Sequence, residues 1–398
     1  MNAGRFSEFD HRCMARALEL ARCALYTTDP NPRVGCVLAK DGAIIAEGFH
    51  VRAGEPHAER HALAAVGNAA QDGARGATAY VTLEPCSHTG RTGPCADALI
   101  DAGVARVVVA MEDPNPRVAG TGLQRLRDAG IEVTAGLQQA AAEALNPGFV
   151  RRMRTGRPLI RIKAAASLDG RTAMASGESQ WITGPEARED VQRLRARSSA
   201  IVTGIGTVLA DRPSYTVRPE QWVYGEYGDG PVRPPLRVIL DPALRTPVDS
   251  PVVTADGPCL IVHAESDDAA PAPRRRALEH AGAELLALPR ARAATDPAEP
   301  GAVGRAERRG LDLHALVAEL TRRECNEVLV ECGATLAGAF VRDGLFDELV
   351  VYLAPTLLGS DARGLLDLPL DRMEQQVRLY WRDLRRLGDD VRLTLAPA

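Results

Sequence analysis

A chain of 398 residues with 45% apolar and 25% charged side chains is long for one hydrophobic core and suits two. Its formal charge of −4 offers no basic field for a polyanion, so nucleic acid is not expected as a partner. No apolar run approaches the roughly 18 residues that span a bilayer, the start lacks a signal-peptide core, and the eight cysteines make no disulfide framework in so long a chain, which together predict a cytoplasmic protein without membrane contact.

Cys13, Met14, Leu18, Ala21, Cys23 and Leu25 fall on a helical period. Strands at 34–39 and 43–49 flank an Asp41-Gly42 turn, a hairpin signature. The pattern continues as helix 57–70, strand 77–83, helix 95–102, strand 105–111, helix 121–129 and strand 131–135. Such alternation predicts a mostly parallel sheet covered by helices, with the hairpin as an antiparallel edge. The charged run 151–158, ending in Pro158, reads as an exposed linker between a domain of residues 1–150 and one of 159–398. In the second domain, strands are expected at 159–165, 200–204, 236–240, 259–263, 327–331, 348–353 and 391–395. Residues 265–308, rich in Ala, Arg and Pro, read as surface helix and loop. Cys13, Cys23, Cys36, Cys259 and Cys325 lie in apolar segments and are expected to act as small core hydrophobes.

Chemistry concentrates at Pro56-His57-Ala58-Glu59, at Glu84-Pro85-Cys86 and at Cys95. One imidazole and two thiolates suit tetrahedral zinc with its fourth position left to water. Glu59, two residues past His57, is placed to carry a proton from that water to a leaving amine. This His-x-Glu with Pro-Cys pattern is the signature of the zinc nucleobase deaminases, but eight residues, Ser87 to Pro94, separate the cysteines in place of the usual two. Two other readings stand beside it. His57 and His61 share the spacing of a metalloprotease helix, although the carboxylate is at +2 and not the required +1. A structural zinc would take a fourth protein ligand, for which His61 and His88 are available.

Asn31-Pro32-Arg33-Val34-Gly35, Gly54-Glu55-Pro56-His57-Ala58-Glu59 and the whole interval from Glu84 to Cys95 resemble the deaminase half of the bifunctional riboflavin biosynthesis deaminase/reductase family, in which the eight-residue interval is normal. Lys163 with Ala166-Ser167-Leu168-Asp169-Gly170-Arg171-Thr172-Ala173 is similar to its reductase half. So are Gly177-Glu178-Ser179-Gln180-Trp181-Ile182-Thr183, Thr207-Val208-Leu209-Ala210-Asp211 and Pro355-Thr356-Leu357-Leu358-Gly359. The likeness covers most of the chain, with 219–234 and 265–308 the poorly matched parts.

The resemblance implies an α/β chain: a cytidine-deaminase-like three-layer α/β/α domain followed by a dihydrofolate-reductase-like α/β domain. It implies zinc and NADPH as cofactors and a phosphoribosylated pyrimidine as small-molecule substrate. The first reaction would remove the 2-amino group of a diaminopyrimidinone and the second reduce its ribosyl arm to ribityl. A homo-oligomer is expected, although the sequence does not fix it. By family position, Asn31, His50 and the 86–95 loop surround the pyrimidine, with Glu59 as proton donor and acceptor. Lys163, Ser179, Arg195, Tyr215, Arg218 and Glu331 would contact substrate. Ala165, Trp181, Thr207, Asp211, Gly333, Ala334, Thr335, Leu336, Ala337, Gly338 and Ala339 would contact the nicotinamide cofactor. The alternatives are a free-base, nucleoside or tRNA deaminase with a non-reductase second domain, and a structural zinc interaction module.

Read on its own, the second domain speaks less clearly. Gly333 and Gly338 follow an apolar strand with spacing Gly-x4-Gly, not Gly-x-Gly-x-x-Gly, which alone is weak evidence for a pyrophosphate loop against a tight turn. Gly204-Ile205-Gly206-Thr207 offers a second close-approach loop. Lysine occurs only at positions 40 and 163 among 48 basic residues, and Lys163 interrupts an apolar run, so its charge needs a partner. Arg195 and Arg218 offer planar forks for a phosphate. Trp181 reads as a nicotinamide neighbour or as a core anchor. Asp211 reads as a helix end or a nucleotide contact.

Overall fold

Ser7 caps the first helix, α1 (Glu8–Arg22), through a capping box with Asp10. The computed structural model, which describes residues 6–66, 73–87, 93–218, 232–265, 272–291 and 310–398, falls into two units. One is made of residues up to Arg157 with Val232 and Arg233, the other of the rest.

In the first unit, α1 leads into strands β1 (Gly35–Lys40) and β2 (Ala43–Phe49), helix α2 (Ala58–Ala65), β3 (Thr78–Val81), α3 (Cys95–Asp101), β4 (Arg106–Val109), α4 (Thr121–Asp128), β5 (Glu132–Ala135), α5 (Gln139–Leu145) and α6 (Pro147–Thr155). Asp41 and Gly42, at φ 53° and 78°, supply the left-handed pair that a two-residue hairpin turn demands. The sheet order is β2-β1-β3-β4-β5, antiparallel around β1 and parallel from β3 to β5. Helices α2, α3 and α4 adjoin one another in one layer, and α1, α5 and α6 in the other. Cys13 and Cys36 lie in the core between them, whereas Cys23 is only half-buried.

The 151–158 linker is a correction. Residues 147–155 are helical, with Pro147 at the first position and Gly156 stopping the helix at φ 72°. Gly148 and Val150 are buried, Arg151 and Arg152 half-buried and Arg154 exposed, so the charge run is part of an amphipathic helix.

The second unit comprises β6 (Leu159–Ser167), β7 (Arg171–Ala173), α7 (Pro185–Arg197), β8 (Ala200–Gly204), α8 (Ile205–Asp211), β9 (Leu236–Leu240), α9 (Pro251–Thr254), β10 (Cys259–Ala264), α10 (Ala272–His280), β11 (Ala283–Leu288), α11 (Leu313–Arg322), β12 (Glu327–Glu331), α12 (Ala334–Arg342), β13 (Glu348–Ala354), β14 (Arg363–Gly364), β15 (Leu379–Leu387) and β16 (Asp390–Pro397). Nine strands form one sheet in the order β11-β10-β9-β8-β12-β6-β13-β16-β15, parallel up to β13 and antiparallel beyond. The chain walks outward from β8 to β11, then returns to insert β12 between β8 and β6. That reversal is a topological switch point, beyond whose strand carboxyl ends open α/β sheets bind ligands.

Within 265–308 the structure departs from surface helix and loop. α10 is present, but β11 continues the parallel sheet beyond β10, while 266–271 and 292–309 lie outside the described residues. Among the described residues, no helix is long and apolar enough to cross a membrane.

Candidate active sites

His57 is the N-cap of α2 and Cys95 the first residue of α3, while Cys86 follows β3 beyond Glu84 and Pro85. The ends of these elements thus bring all three side chains to one point. His57 Nδ1 stands 3.6 Å from Cys86 Sγ and 3.4 Å from Cys95 Sγ. Zinc bonded to sulfur at about 2.3 Å and to nitrogen at about 2.05 Å in a tetrahedron sets those atoms about 3.6 Å apart, so the donor set fits the ion. Among the described residues these three make the one such group of His, Cys, Asp and Glu, and His61 remains outside it. His88, the other candidate for a fourth ligand, lies outside the described residues.

The Cys95 amide donates to Cys86 Sγ at 3.3 Å. Hydrogen bonding from the Cys95 side chain, with help from His57, outweighs burial and holds the Cys86 thiol well below its ordinary value. That is the condition of a metal-binding thiolate. Glu59 is 3% exposed, and burial raises its carboxyl above the usual carboxylate range against its own backbone amide and the His57 charge. A carboxyl whose pKa burial raises suits proton transfer.

His50 stacks edge-to-face on His57, ring centroids 5.2 Å apart. The Asn31 amide nitrogen lies 3.0 Å from its Nε2 and the Pro56 carbonyl 3.0 Å from its Nδ1. An amide nitrogen only donates, so Nε2 accepts and Nδ1 carries the proton to Pro56. Burial lowers the His50 pKa, in keeping with this neutral ring.

In the second unit, Lys163 and Glu331 are register partners on β6 and β12, with Nζ 3.9 Å from Oε2. Arg195, from α7, places Nε and Nη2 at 2.7 and 2.9 Å from the two Glu331 oxygens. Tyr215 is buried, donates to the Glu331 carbonyl at 3.0 Å and lies 3.0 Å from the Thr203 hydroxyl. Arg195 therefore spends its fork on a carboxylate of this chain, its guanidinium carbon 5.3 Å from the Tyr215 ring centroid, while the Tyr215 hydroxyl holds the Glu331 main chain.

Thr207, in the first turn of α8, lies near Gly333, since a Cβ on Gly333 would lie 3.9 Å from Thr207 Oγ1 and meet nothing closer. Gly333 caps α12, and Gly333 and Thr335 are exposed while Ala334 and Leu336 are half-buried. This open, uncapped amino end fits a dinucleotide phosphate. Ala337 and Gly338 point inward, and a Cβ on Gly338 would sit 2.2 Å from the Asp367 carbonyl oxygen, so that glycine serves packing. Ala339 packs against the same core. Ala165 and Ser179 are half-buried, and Asp211 ends α8. Trp181 is 70% exposed, with the Arg188 guanidinium 4.7 Å from its ring centroid, so it is no core anchor. Arg218 is exposed, and its amide donates to Gln192 at 3.1 Å.

Two features escaped the sequence reading. The Asp169 carboxylate accepts from the amides of Leu358 (3.2 Å) and Gly359 (2.9 Å), joining two of the motifs into one loop cluster. Glu84, two residues before Cys86, accepts four backbone amides.

Residues 7–111 match the family model of the cytidine and deoxycytidylate deaminase zinc-binding region, and residues 158–393 that of the RibD C-terminal domain. The chain is 50% identical over 397 residues to the riboflavin biosynthesis protein RibD of Escherichia coli K12, covering 98% of this chain and 100% of that protein. It is 36% identical over 385 residues to that of Aquifex aeolicus, covering 96% and 97%. The crystal structure of Acinetobacter baumannii RibD aligns with TM-score 0.83 at 43% identity, covering 98% of this chain and 99% of that one. A diaminohydroxyphosphoribosylaminopyrimidine deaminase/5-amino-6-(5-phosphoribosylamino)uracil reductase from Thermotoga maritima aligns with TM-score 0.79 at 31% identity, over the same shares.

Proposed function

The chain belongs to the RibD family of riboflavin biosynthesis proteins, and on that footing we propose the substrates and residues of its two reactions. It is a bifunctional riboflavin biosynthesis enzyme, a deaminase domain followed by a reductase domain, which imply zinc and a nicotinamide cofactor.

The first substrate is 2,5-diamino-6-(5-phosphoribosylamino)pyrimidin-4(3H)-one, the class of compound that the name of the Thermotoga relative states for that protein. His57, Cys86 and Cys95 hold the zinc, which when bound acts as a Lewis acid that lowers the pKa of water from about 15.7 towards 7. Asn31 and His50 line the ring. Glu59 takes the proton of the attacking water and returns it to the departing nitrogen: a C–O bond forms at C2, the C–N bond breaks, and ammonia leaves. The reading is carried by the three-residue cluster with a buried carboxyl two residues from His57.

The second reaction reduces the ribosyl group to ribityl, for which the cofactor, assigned as NADPH on family grounds, supplies hydride to C1′. The amino end of α12 from Gly333 to Leu336, together with Thr207, receives the phosphates. Ala165, Trp181 and Asp211 border the nucleotide. Lys163 and Glu331 face the sugar with Ser179, Arg218 meets its phosphate, and Arg195 and Tyr215 keep Glu331 aimed.

We assign the compartment as the cytoplasm, on eight cysteines that are all free thiols. We assign a homo-oligomer, supported by the outer strand β15, whose Tyr380, Trp381 and Leu384 are exposed.

Mass spectrometry of the products tests both reactions. Without NADPH, the substrate should exchange one amino group for oxygen; with NADPH, that product should gain two hydrogens. A product keeping both amino groups rejects the deaminase substrate, and a deaminated product left unreduced rejects the second assignment.

A further inference from the structure

One carboxylate ties the ligand-bearing end of β3 to helix α4. Glu84 is 6% exposed and lies two residues before Cys86. Its Oε2 accepts from the amides of Asp113 (3.0 Å) and Gly120 (2.9 Å), and its Oε1 from those of Gly122 (2.8 Å) and Leu123 (3.3 Å). Four backbone donors use the whole acceptor capacity of a carboxylate. Three of them belong to the start of α4, where unpaired amides and the helix dipole favour a negative charge.

The contact is also closed sterically, because a Cβ on Gly122 would lie 2.0 Å from the Pro85 carbonyl oxygen. On the other side of Cys86, the Ser87 hydroxyl lies 2.7 Å from that of Thr121, and the Ser87 carbonyl accepts from Arg125 Nη1 at 3.2 Å. Arg125 Nη2 also donates to Asp97 at 2.8 Å, two residues past Cys95. Helix α4 thus grips the chain on both sides of Cys86 and again in the first turn of α3.

This arrangement answers a question posed by the spacing. Two intervening residues set the distance between a pair of cysteines by local geometry, whereas the eight residues 87–94 allow far more chain conformations and must be fixed from outside. We propose that Glu84 and Arg125 are positioning residues of the metal centre, through which α4 acts as the template that sets Cys86 against Cys95. The proposal rests on the zinc reading of His57, Cys86 and Cys95. Partners of metal ligands typically change metal affinity about 10–100-fold when removed.

The test compares the full-length parent with Glu84→Gln and Arg125→Ala, each loaded with zinc and, separately, with cobalt(II). Gln keeps one acceptor oxygen and turns an NH2 towards two amide donors, undoing half the clamp. We expect zinc affinity, measured by chelator competition, to fall roughly 10–100-fold in Glu84→Gln and less in Arg125→Ala. The cobalt thiolate and d–d bands should shift in both. Reduction of the already deaminated intermediate should persist and so report a folded second unit, and a parent-like circular dichroism melt should report a folded first unit. Variants with the parent's cobalt spectrum and zinc affinity overturn the proposal. Should Glu84→Gln not fold, Arg125→Ala decides alone, since it alters a surface contact. A parent that binds neither metal removes the zinc reading itself, and the positioning role with it.

Discussion

Lys163 and Glu331 face each other across neighbouring parallel strands, Nζ 3.9 Å from Oε2, at the point where the strand order of the second sheet reverses. Burial lowers the Lys163 pKa, against the pull of Glu331. Burial alone would raise the Glu331 pKa, but Arg195 first and Lys163 after it hold that carboxyl below its usual value. A buried carboxylate so held is a fixed negative centre at that reversal, and its orientation depends on Arg195.

Arg195→Ala should therefore impair reduction by misaligning Glu331. A misplacement of about 1 Å can cost roughly 100-fold in rate, so kcat for reduction should fall by about that factor with KM changed less. Deamination should be untouched. A raised KM with kcat preserved would instead make Arg195 a phosphate ligand, as the sequence allowed.

Glu59→Gln keeps the shape of the side chain and removes its exchangeable proton. Deaminase turnover should drop by about 10²–10⁴-fold, the usual share of positioned acid–base catalysis. Metal analysis should find zinc retained, and the deaminated intermediate should still be reduced. Undiminished ammonia release would reject the role.

Gly48 is where β2 lets α2 approach: a Cβ there would lie 2.4 Å from the Ala62 nitrogen and 2.6 Å from the Ala58 carbonyl oxygen. Because α2 carries His57 at its cap and Glu59 in its first turn, Gly48→Ala should displace both. A loss of about 1–3 kcal/mol in stability is expected from overpacking, with deaminase activity lost before the fold is. Equilibrium unfolding beside an ammonia assay checks this, and a variant as active as the parent would show that α2 can shift without cost to the site.

Much of this could be read in advance because turn and cap chemistry converts sequence position into place. His57 caps a helix and Cys95 begins one, so a motif of a few residues fixes where their side chains start. The parallel strands of the second sheet are buried apolar runs bounded by turns, and strands at 200–204, 236–240 and 327–331 lie where that pattern puts them. Strand β15 breaks the rule because it is an edge: Tyr380, Trp381, Arg382 and Asp383 mix apolar and charged residues without alternation, and most of the strand is exposed. Helix α6 was masked by its arginines, although Pro147 and Gly156 bracket it as start and stop signals. The fork of Arg195 on Glu331 spans 136 residues and the Asp169 link to Gly359 spans 190, separations at which no local pattern operates.

If β15 joins two copies, Trp381→Arg with Leu384→Arg should give a monomer by light scattering while deamination continues. An unchanged assembly would move the interface elsewhere.

Asp10 gives the first unit a titratable anchor far in sequence from the chemistry. It is 3% exposed and accepts from the Tyr80 hydroxyl at 2.7 Å, Arg106 Nη1 at 2.7 Å, and the Ser7 amide and hydroxyl at 2.7 and 2.9 Å. Burial would raise its pKa, but Arg106, Tyr80 and Ser7 together outweigh that and hold it well below the usual carboxylate value. An unfolded chain binds this proton near pH 3.9, roughly, so in that region the unfolded state carries more protons than the folded one. The stabilisation is then fully present above about pH 4 and is lost as pH falls towards the folded-state pKa. Asp10→Asn keeps the shape without the charge and leaves Arg106 with only the Glu132 carboxylate, 3.4 Å away. Its calorimetric melting temperature for the first unit should lie below the parent's at pH 7, and the gap should narrow steadily below about pH 4. A gap that stays constant down to about pH 2 would mean that ionisation of the Asp10 carboxylate does nothing for the fold.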